Sequence, residues 1–491
     1  MRPLEIFLTA AVGLAVAVVA IRWLRRRAWA RLVWAVAGVA ALVQIASEGA
    51  RWQLWPAYAL AAGFLVAWLL SLSTMRRAGS PGRVVTGIGV VLLVIALAVS
   101  VALPVALPVF GFPAPPGPYG IGTATYQWTE NRPELFTAAR GDRRRLMARV
   151  WYPAARHVPG PRAPYIPHAD VVTPTLARLA GFPSYMLAQL RYVTTNAVPS
   201  APPAPGRFPV LIYLTGLNGF PASSTFQVEP LVARGYVVVG LDQPGVSAVT
   251  RFPDGRVVTG LPRDRIQPLI DQSTEPRRPA PTLNGTPLPN GVIPYFGADV
   301  PIAVDRLTAL NRTDRLLAGR LDLSRLGVFG VSLGSLDTGE ACRLDPRVRA
   351  CLAMDSAQAA DVVRAGLKQP TMFITRDAAT MRLERSRTGG WSEHSIALAL
   401  NTMSSVYRRL PRAGYLVQVP GMFHPDFTDL PMWTPAAPVL GLTGPYGTAH
   451  GHATVNAYTQ AFFDTHLRGH PSPLLTGPSP RFPGVRIQVR H

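Results

Sequence analysis

Ser332 stands in Gly330-Val331-Ser332-Leu333-Gly334, directly after the apolar run LGVFGV and at the start of a helical pattern. A Gly-x-Ser-x-Gly turn between a strand and a helix raises a serine hydroxyl above the sheet. The turn is so tight that side chains two residues before and after the serine would collide, hence the glycines, and the N–H of Leu333 at the helix start points toward a developing oxyanion. A strand–helix turn without chemistry is the plainer alternative. A hydroxyl also needs a base. Of nine histidines, His424 fits best: it follows the last strong strand pattern, in VPGMFHPDF, and the order nucleophile, acid, histidine demands a late one. His450 and His452 in TAHGHATVN are rivals, and their spacing could suit a metal, but no cysteine or carboxylate cluster accompanies them. The base needs a carboxylate to hold its tautomer. Asp355 ends ACLAMD and Asp377 follows PTMFIT, and position alone leaves both open; Asp242 precedes the serine and reads as a turn residue. A second oxyanion donor belongs on Thr215-Gly216-Leu217-Asn218-Gly219, with the Leu217 N–H first and Asn218 second. This chemistry calls for no metal and no organic cofactor.

Such a site needs a sheet behind it. Short β-rich runs occur at 146–152, 209–214, 236–241, 326–331, 350–354, 370–375 and 415–419. Helical patterns at 225–233, 300–310, 333–342, 395–410 and 454–467 separate most of them. Apolar strands alternating with helices predict an α/β fold, a mostly parallel sheet covered on both faces, with functional residues at the strands' carboxyl ends. Residues 251–294, rich in proline, arginine and glycine, read as a long loop or cap insertion bordering the site.

The chain has 491 residues, 49 basic against 27 acidic, and only 15% are charged while 48% are hydrophobic. That excludes a disordered chain and disfavours a wholly water-soluble one. Uncharged stretches at 6–21, 32–47, 52–74 and 84–112 predict an all-α transmembrane module of about four helices. The first two are short enough that a buried hairpin competes. A signal peptide competes for the first, but its flanks are wrong and no small-residue cleavage site precedes Arg22. Arg22, Arg25, Arg26, Arg27 and Arg31 fall between the first two stretches and Arg76, Arg77 and Arg83 between the last two, whereas only Arg2 and Arg51 lie near the other side. The positive-inside rule therefore predicts an integral membrane protein with its larger domain outside the cytoplasm. The last two stretches hold no charged residue, so anchoring is favoured over transport. The expected organisation is a module at 1–112, a Pro/Gly-rich linker at 113–122 and a catalytic domain at 123–491. Beyond residue 110 stand 39 basic and 25 acidic residues, which would draw this part toward an anionic lipid surface. Nucleic acid is not an expected partner, since no basic helix, zinc module or aromatic-interleaved patch is present. Cys342 and Cys351 could bond outside the cytoplasm or be two small buried hydrophobes.

The domain resembles the platelet-activating factor acetylhydrolase-like branch of the α/β-hydrolases. The likeness runs through LMARVWYPA, PVLIYLTGLNG, VARGYVVVGLDQPG, LDLSRLGVFGVSLGS, DPRVRACLAMDSA, QPTMFITRD, GMFHPDFTDLP and FFDTHLRG, over about residues 123–469. It implies Ser332 as nucleophile, His424 as base, Asp355 as acid, with Asp377 as runner-up, and the N–H groups of Leu217 and Leu333 as oxyanion donors. It implies a serine esterase or lipase acting on short or oxidised acyl chains of a phospholipid or a related small ester, with no cofactor. The chain departs from the family at Val331, Gly334, Ser335 and Thr215, and in carrying the membrane module. A catalytically silent binding or sensing module is the alternative from another class; a peptidase or polyester hydrolase would use the same triad.

Overall fold

The computed structural model describes residues 1–490 except 22–23, 25–28, 73–82, 138 and 140. Two compact units are present: Met1–Phe110 with Tyr185–Tyr192 and Trp433–Ala436, and the remainder.

In the first unit, helices α1 (Pro3–Ala20), α2 (Ala30–Glu48), α3 (Trp55–Leu72) and α4 (Arg83–Ala106) are long and apolar enough to cross a membrane. Small residues allow close packing. Ala37, Ala41, Ala57 and Ala61 are buried with Leu8, Val12 and Phe64, and a Cβ on Gly38 would fall 2.8 Å from that of Leu65. The first two helices begin two or three residues before the uncharged stretches do. Helix α1 begins early enough to include Glu5, whose buried carboxylate pairs with Arg51 at 2.8 Å and with Arg2 at 2.8 Å. Arg22, Arg25, Arg26, Arg27, Arg76 and Arg77, which carry the orientation argument, lie outside the described residues.

The second unit is built on ten strands: β1 (Gly120–Pro133), β2 (Arg143–Ala154), β3 (Val198–Pro199), β4 (Phe208–Leu214), β5 (Val237–Asp242), β6 (Leu321–Val331), β7 (Val348–Met354), β8 (Thr371–Thr375), β9 (Gly414–Gln418) and β10 (Arg486–Arg490). Their order is β10-β9-β8-β7-β6-β4-β5-β2-β1-β3. From β9 through β5 every pairing is parallel, and β4 and β8 are buried at every residue, as a sheet covered on both faces requires. The covering helices are α5 (Ala169–Leu179), α6 (Thr225–Ala233), α7 (Arg263–Thr274), α8 (Asp299–Thr313), α9 (Leu333–Leu344), α10 (Ala378–Thr388), α11 (Glu393–Arg408) and α12 (Thr448–Arg468). This is the α/β-hydrolase architecture.

Three features differ from the sequence reading. Strand β1 begins at Gly120, inside the expected linker, and β10 near the C-terminus was not expected. Both lie toward the edges, half-exposed and polar, where burial does not enforce an apolar run. Residues 251–294 are more than a loop: they hold α7, strand segments Thr282–Leu283 and Thr286–Pro287, and one half of a hairpin between Val249–Arg251 and Val257–Thr259. Cys342 and Cys351 are bonded, their Cα atoms 6.5 Å apart, tying the end of α9 to β7.

Candidate active site

Ser332 joins β6 to α9 with φ +59° and ψ −122°, a sparsely populated conformation for a residue with a side chain. Its neighbours admit only glycine. A Cβ at 330 would lie 2.2 Å from the Gly334 carbonyl oxygen, and one at 334 would lie 2.0 Å from that of Leu214. The Ser332 N–H donates to the Met354 carbonyl at 2.9 Å, fastening the turn to the end of β7.

The loop after β4 lies against this turn: a Cβ on Gly216 would be 3.1 Å from Ser332 Cβ. Asn218, at φ +57°, has its N–H committed to the Val246 carbonyl at 2.8 Å, so it is not free to donate. The N–H groups of Leu217 and Leu333 have no acceptor among the described residues. Thr215 bonds the Ser223 hydroxyl at 2.8 Å, a buried support for this loop.

Asp355 follows β7 at φ +54° and is fully buried. It accepts from His424 Nδ1 at 2.6 Å, Arg376 Nε at 2.9 Å and the Thr375 hydroxyl at 3.2 Å. Burial alone would raise its pKa; the charge of Arg376 and the bond from His424 outweigh burial and hold the carboxyl well below the usual range. Asp377 instead caps α10, accepting from the Thr380 N–H at 2.9 Å. The structure thus brings Asp355, not Asp377, to His424.

His424 opens a short turn after β9 that is pinned on several sides. Asp426 accepts from the N–H groups of Phe423 at 2.8 Å and Gly444 at 3.0 Å. Asp429 accepts from the N–H groups of Thr225 at 2.7 Å and Phe226 at 2.9 Å, at the start of α6. Burial pushes the Asp429 carboxyl up to about 7. With Nδ1 engaged, Nε2 of His424 is the nitrogen left for a substrate. His452, the rival, is half-buried on α12, stacks on Phe226 with centroids 3.7 Å apart and bonds the Thr428 carbonyl; loss of solvation pushes it down to about 4. His450 is exposed on the same helix.

Sequence reasoning missed Arg376, Glu384 and Trp391. Arg376 is fully buried, pairs with Glu384 as well as Asp355, and lies 4.7 Å from the Trp391 ring centroid. Glu384 also accepts from the His424 backbone N–H at 3.2 Å, and Trp391 meets the His424 ring edge-on at 5.2 Å. The only available signal was Arg376 beside Asp377 at the end of a strand; nothing marked it as a partner of Asp355.

Ser332, Leu217, Leu333, His424, Glu384 and Trp391 line one cleft of about 980 Å³, closed in part by α5, α7 and α11. Among the described residues no direct hydrogen bond joins Ser332 Oγ to His424; such bonds are often long before substrate binds. A second hollow of about 780 Å³ around α12 and residues 470–481 shares no residue with it.

No family model matches the chain, and no curated protein does. A solved structure that does match is a ferulic acid esterase from Streptomyces cinnamoneus, at 27% identity and a TM-score of 0.59. The match covers 76% of this chain and 98% of that one, so about a quarter of this chain has no counterpart there. The chain therefore shares its α/β fold with an esterase of known structure, while the likeness to platelet-activating factor acetylhydrolases rests on the sequence blocks quoted above.

Proposed function

We propose that the protein is a membrane-anchored carboxylic ester hydrolase working through Ser332, His424 and Asp355. Ser332 Oγ attacks the ester carbonyl as His424 Nε2 takes its proton. The N–H groups of Leu217 and Leu333 stabilise the oxyanion, and Asp355 holds the imidazole tautomer and balances the imidazolium. His424 then protonates the departing alkoxide. Water, deprotonated by the same nitrogen, releases the acid from the acyl-serine. The observation that carries this reading is the 2.6 Å bond between His424 and a buried, ionised Asp355 in the cleft that Ser332 enters from its strained turn.

The finer reading is an ester of short or oxidised acyl chains on a phospholipid-like alcohol, acted on outside the cytoplasm. The Cys342–Cys351 bond supports that location, since disulfides persist in oxidising compartments. The ferulic acid esterase neighbour and Trp391 in the cleft favour a second reading, an ester of an aromatic acid. Turnover of p-nitrophenyl acetate, a short-acyl phospholipid and ethyl ferulate by the full chain separates them, alongside labelling by a fluorophosphonate, which reacts only with an activated serine. Undiminished turnover by Ser332→Ala sinks the nucleophile; absence of labelling and turnover leaves a silent binding module.

A further inference from the structure

Two segments at the edge of the cleft turn large apolar side chains to solvent. One continues α5, whose Thr175, Arg178 and Leu179 line the cleft: residues 181–184 are all exposed, with Phe182 at 53%. The other is 438–440, where Val439 is 90% and Leu440 56% exposed. This second segment is seated on the cleft wall by Gly441. At φ +68°, Gly441 lies so close to Thr388, a lining residue, that a Cβ would fall 2.3 Å from its methyl group. At the same mouth Arg178 and Arg263 are exposed and pair with no carboxylate among the described residues.

Adjacent, projecting aliphatic side chains are costly to leave in water, and here the same cleft mouth carries guanidinium groups that no carboxylate neutralises, Arg178 donating only to the Thr175 hydroxyl at 3.0 Å. That combination matches one surface: apolar tips at the acyl boundary with cations at the phosphates. The chain carries four helices able to span a membrane, so a bilayer is always at hand. We infer that the mouth of the cleft docks on an anionic bilayer surface, with Phe182, Val439 and Leu440 entering the boundary below the headgroups and Arg178 and Arg263 facing lipid phosphate. The ester would then be drawn from the bilayer itself; this last step rests on the proposed esterase function.

The test uses the full chain reconstituted in phosphatidylcholine vesicles with and without one quarter phosphatidylglycerol. Both native cysteines are bonded, so Val439→Cys gives a single reactive thiol for an environment-sensitive fluorophore. A blue-shifted emission quenched by brominated lipid, more strongly with phosphatidylglycerol, is expected. Emission like that of a label at exposed Ser324 overturns the insertion, and equal quenching in both vesicles overturns the arginine contribution. The double variant Val439→Asp, Leu440→Asp should keep p-nitrophenyl acetate turnover and lose about tenfold on a vesicle-embedded short-acyl ester; equal turnover of both overturns the docking. Insertion without any ester turnover leaves the docking standing and removes the esterase reading, so the two fail separately.

Discussion

The back and the front of the cleft are built in opposite ways. At the back, Asp355, Thr375 and Arg376 sit at or just beyond strand ends and Glu384 on α10; all four are buried and hold one another through charged hydrogen bonds. At the front, Arg178, Arg263 and the 388–390 turn are exposed and lie on helix ends and loops. A buried charged network tolerates almost no change, because removing one member strands the others. An exposed rim can vary without threatening the fold. On the proposed function, chemistry falls to the first region and choice of substrate to the second.

Variants of the back should accordingly give the largest effects. Ser332→Ala is expected to lower kcat/KM for p-nitrophenyl acetate by about 10³-fold or more, and Asp355→Asn by about 10³–10⁴-fold with little change in KM. Asp377→Ala, which removes a helix cap, should stay within about threefold in kcat/KM and lose only about 1 kcal/mol of stability. Equal losses at 355 and 377 would break the assignment of the acid.

Arg376→Met comes next. It leaves Asp355 and Glu384 buried without their cation, a loss of about 3–5 kcal/mol for a broken buried pair. Both thermal stability and kcat should fall, with kcat down about 10–100-fold in the molecules still folded, because Asp355 then holds His424 less firmly. A variant that loses stability but keeps kcat would make Arg376 a support of the fold alone. At the front, Trp391→Ala should raise KM for a bulky acyl ester about tenfold while changing KM for the acetate less than threefold, read from the two substrates in parallel. Equal changes would erase the division between back and front.

The sequence exposed the parts of this site that local sterics dictate. Gly330 and Gly334 announce the turn because no Cβ fits there, and the apolar runs of β4, β6 and β7 announce buried parallel strands. What stayed hidden depends on distant parts meeting. What separates Asp355 from Asp377 in space is the bond to His424, sixty-nine positions from Asp355 in the chain. Arg376 and Glu384 look like ordinary surface charges until the fold buries them. Helix α7 was obscured by Pro268 and a polar composition, and strands β1 and β10 by solvent on one side. The disulfide could not be read because its Cα separation belongs to the packing of α9 on β7.

The smallest effect concerns Asp429, a carboxyl with no paired cation among the described residues, the counterpart of Asp355 within the same well-packed interior. Both are fully buried, but Asp355 has Arg376 beside it while Asp429 has mainly backbone N–H groups. Burial raises Asp429 to about 7 from an ordinary value near 3.8, so the folded state holds this proton more tightly than the unfolded chain does. Its contribution to stability is fullest below about pH 4 and declines as pH rises through about 7. Asp429→Asn keeps one acceptor oxygen for the Thr225 and Phe226 N–H groups, replaces the other with an amide NH2 at a roughly pH-independent cost, and removes the titration. The melting temperature of the variant minus that of the native chain should therefore rise by about 2–6 °C between pH 5 and pH 8. Asp355 moves in the opposite sense: its depressed value leaves it ionised across that whole interval, so it adds no slope there. Parallel melting curves for the Asp429 variant and the native chain would mean that water or a neighbour relieves the buried charge, and that an adjacent cation is not what separates these two carboxyls.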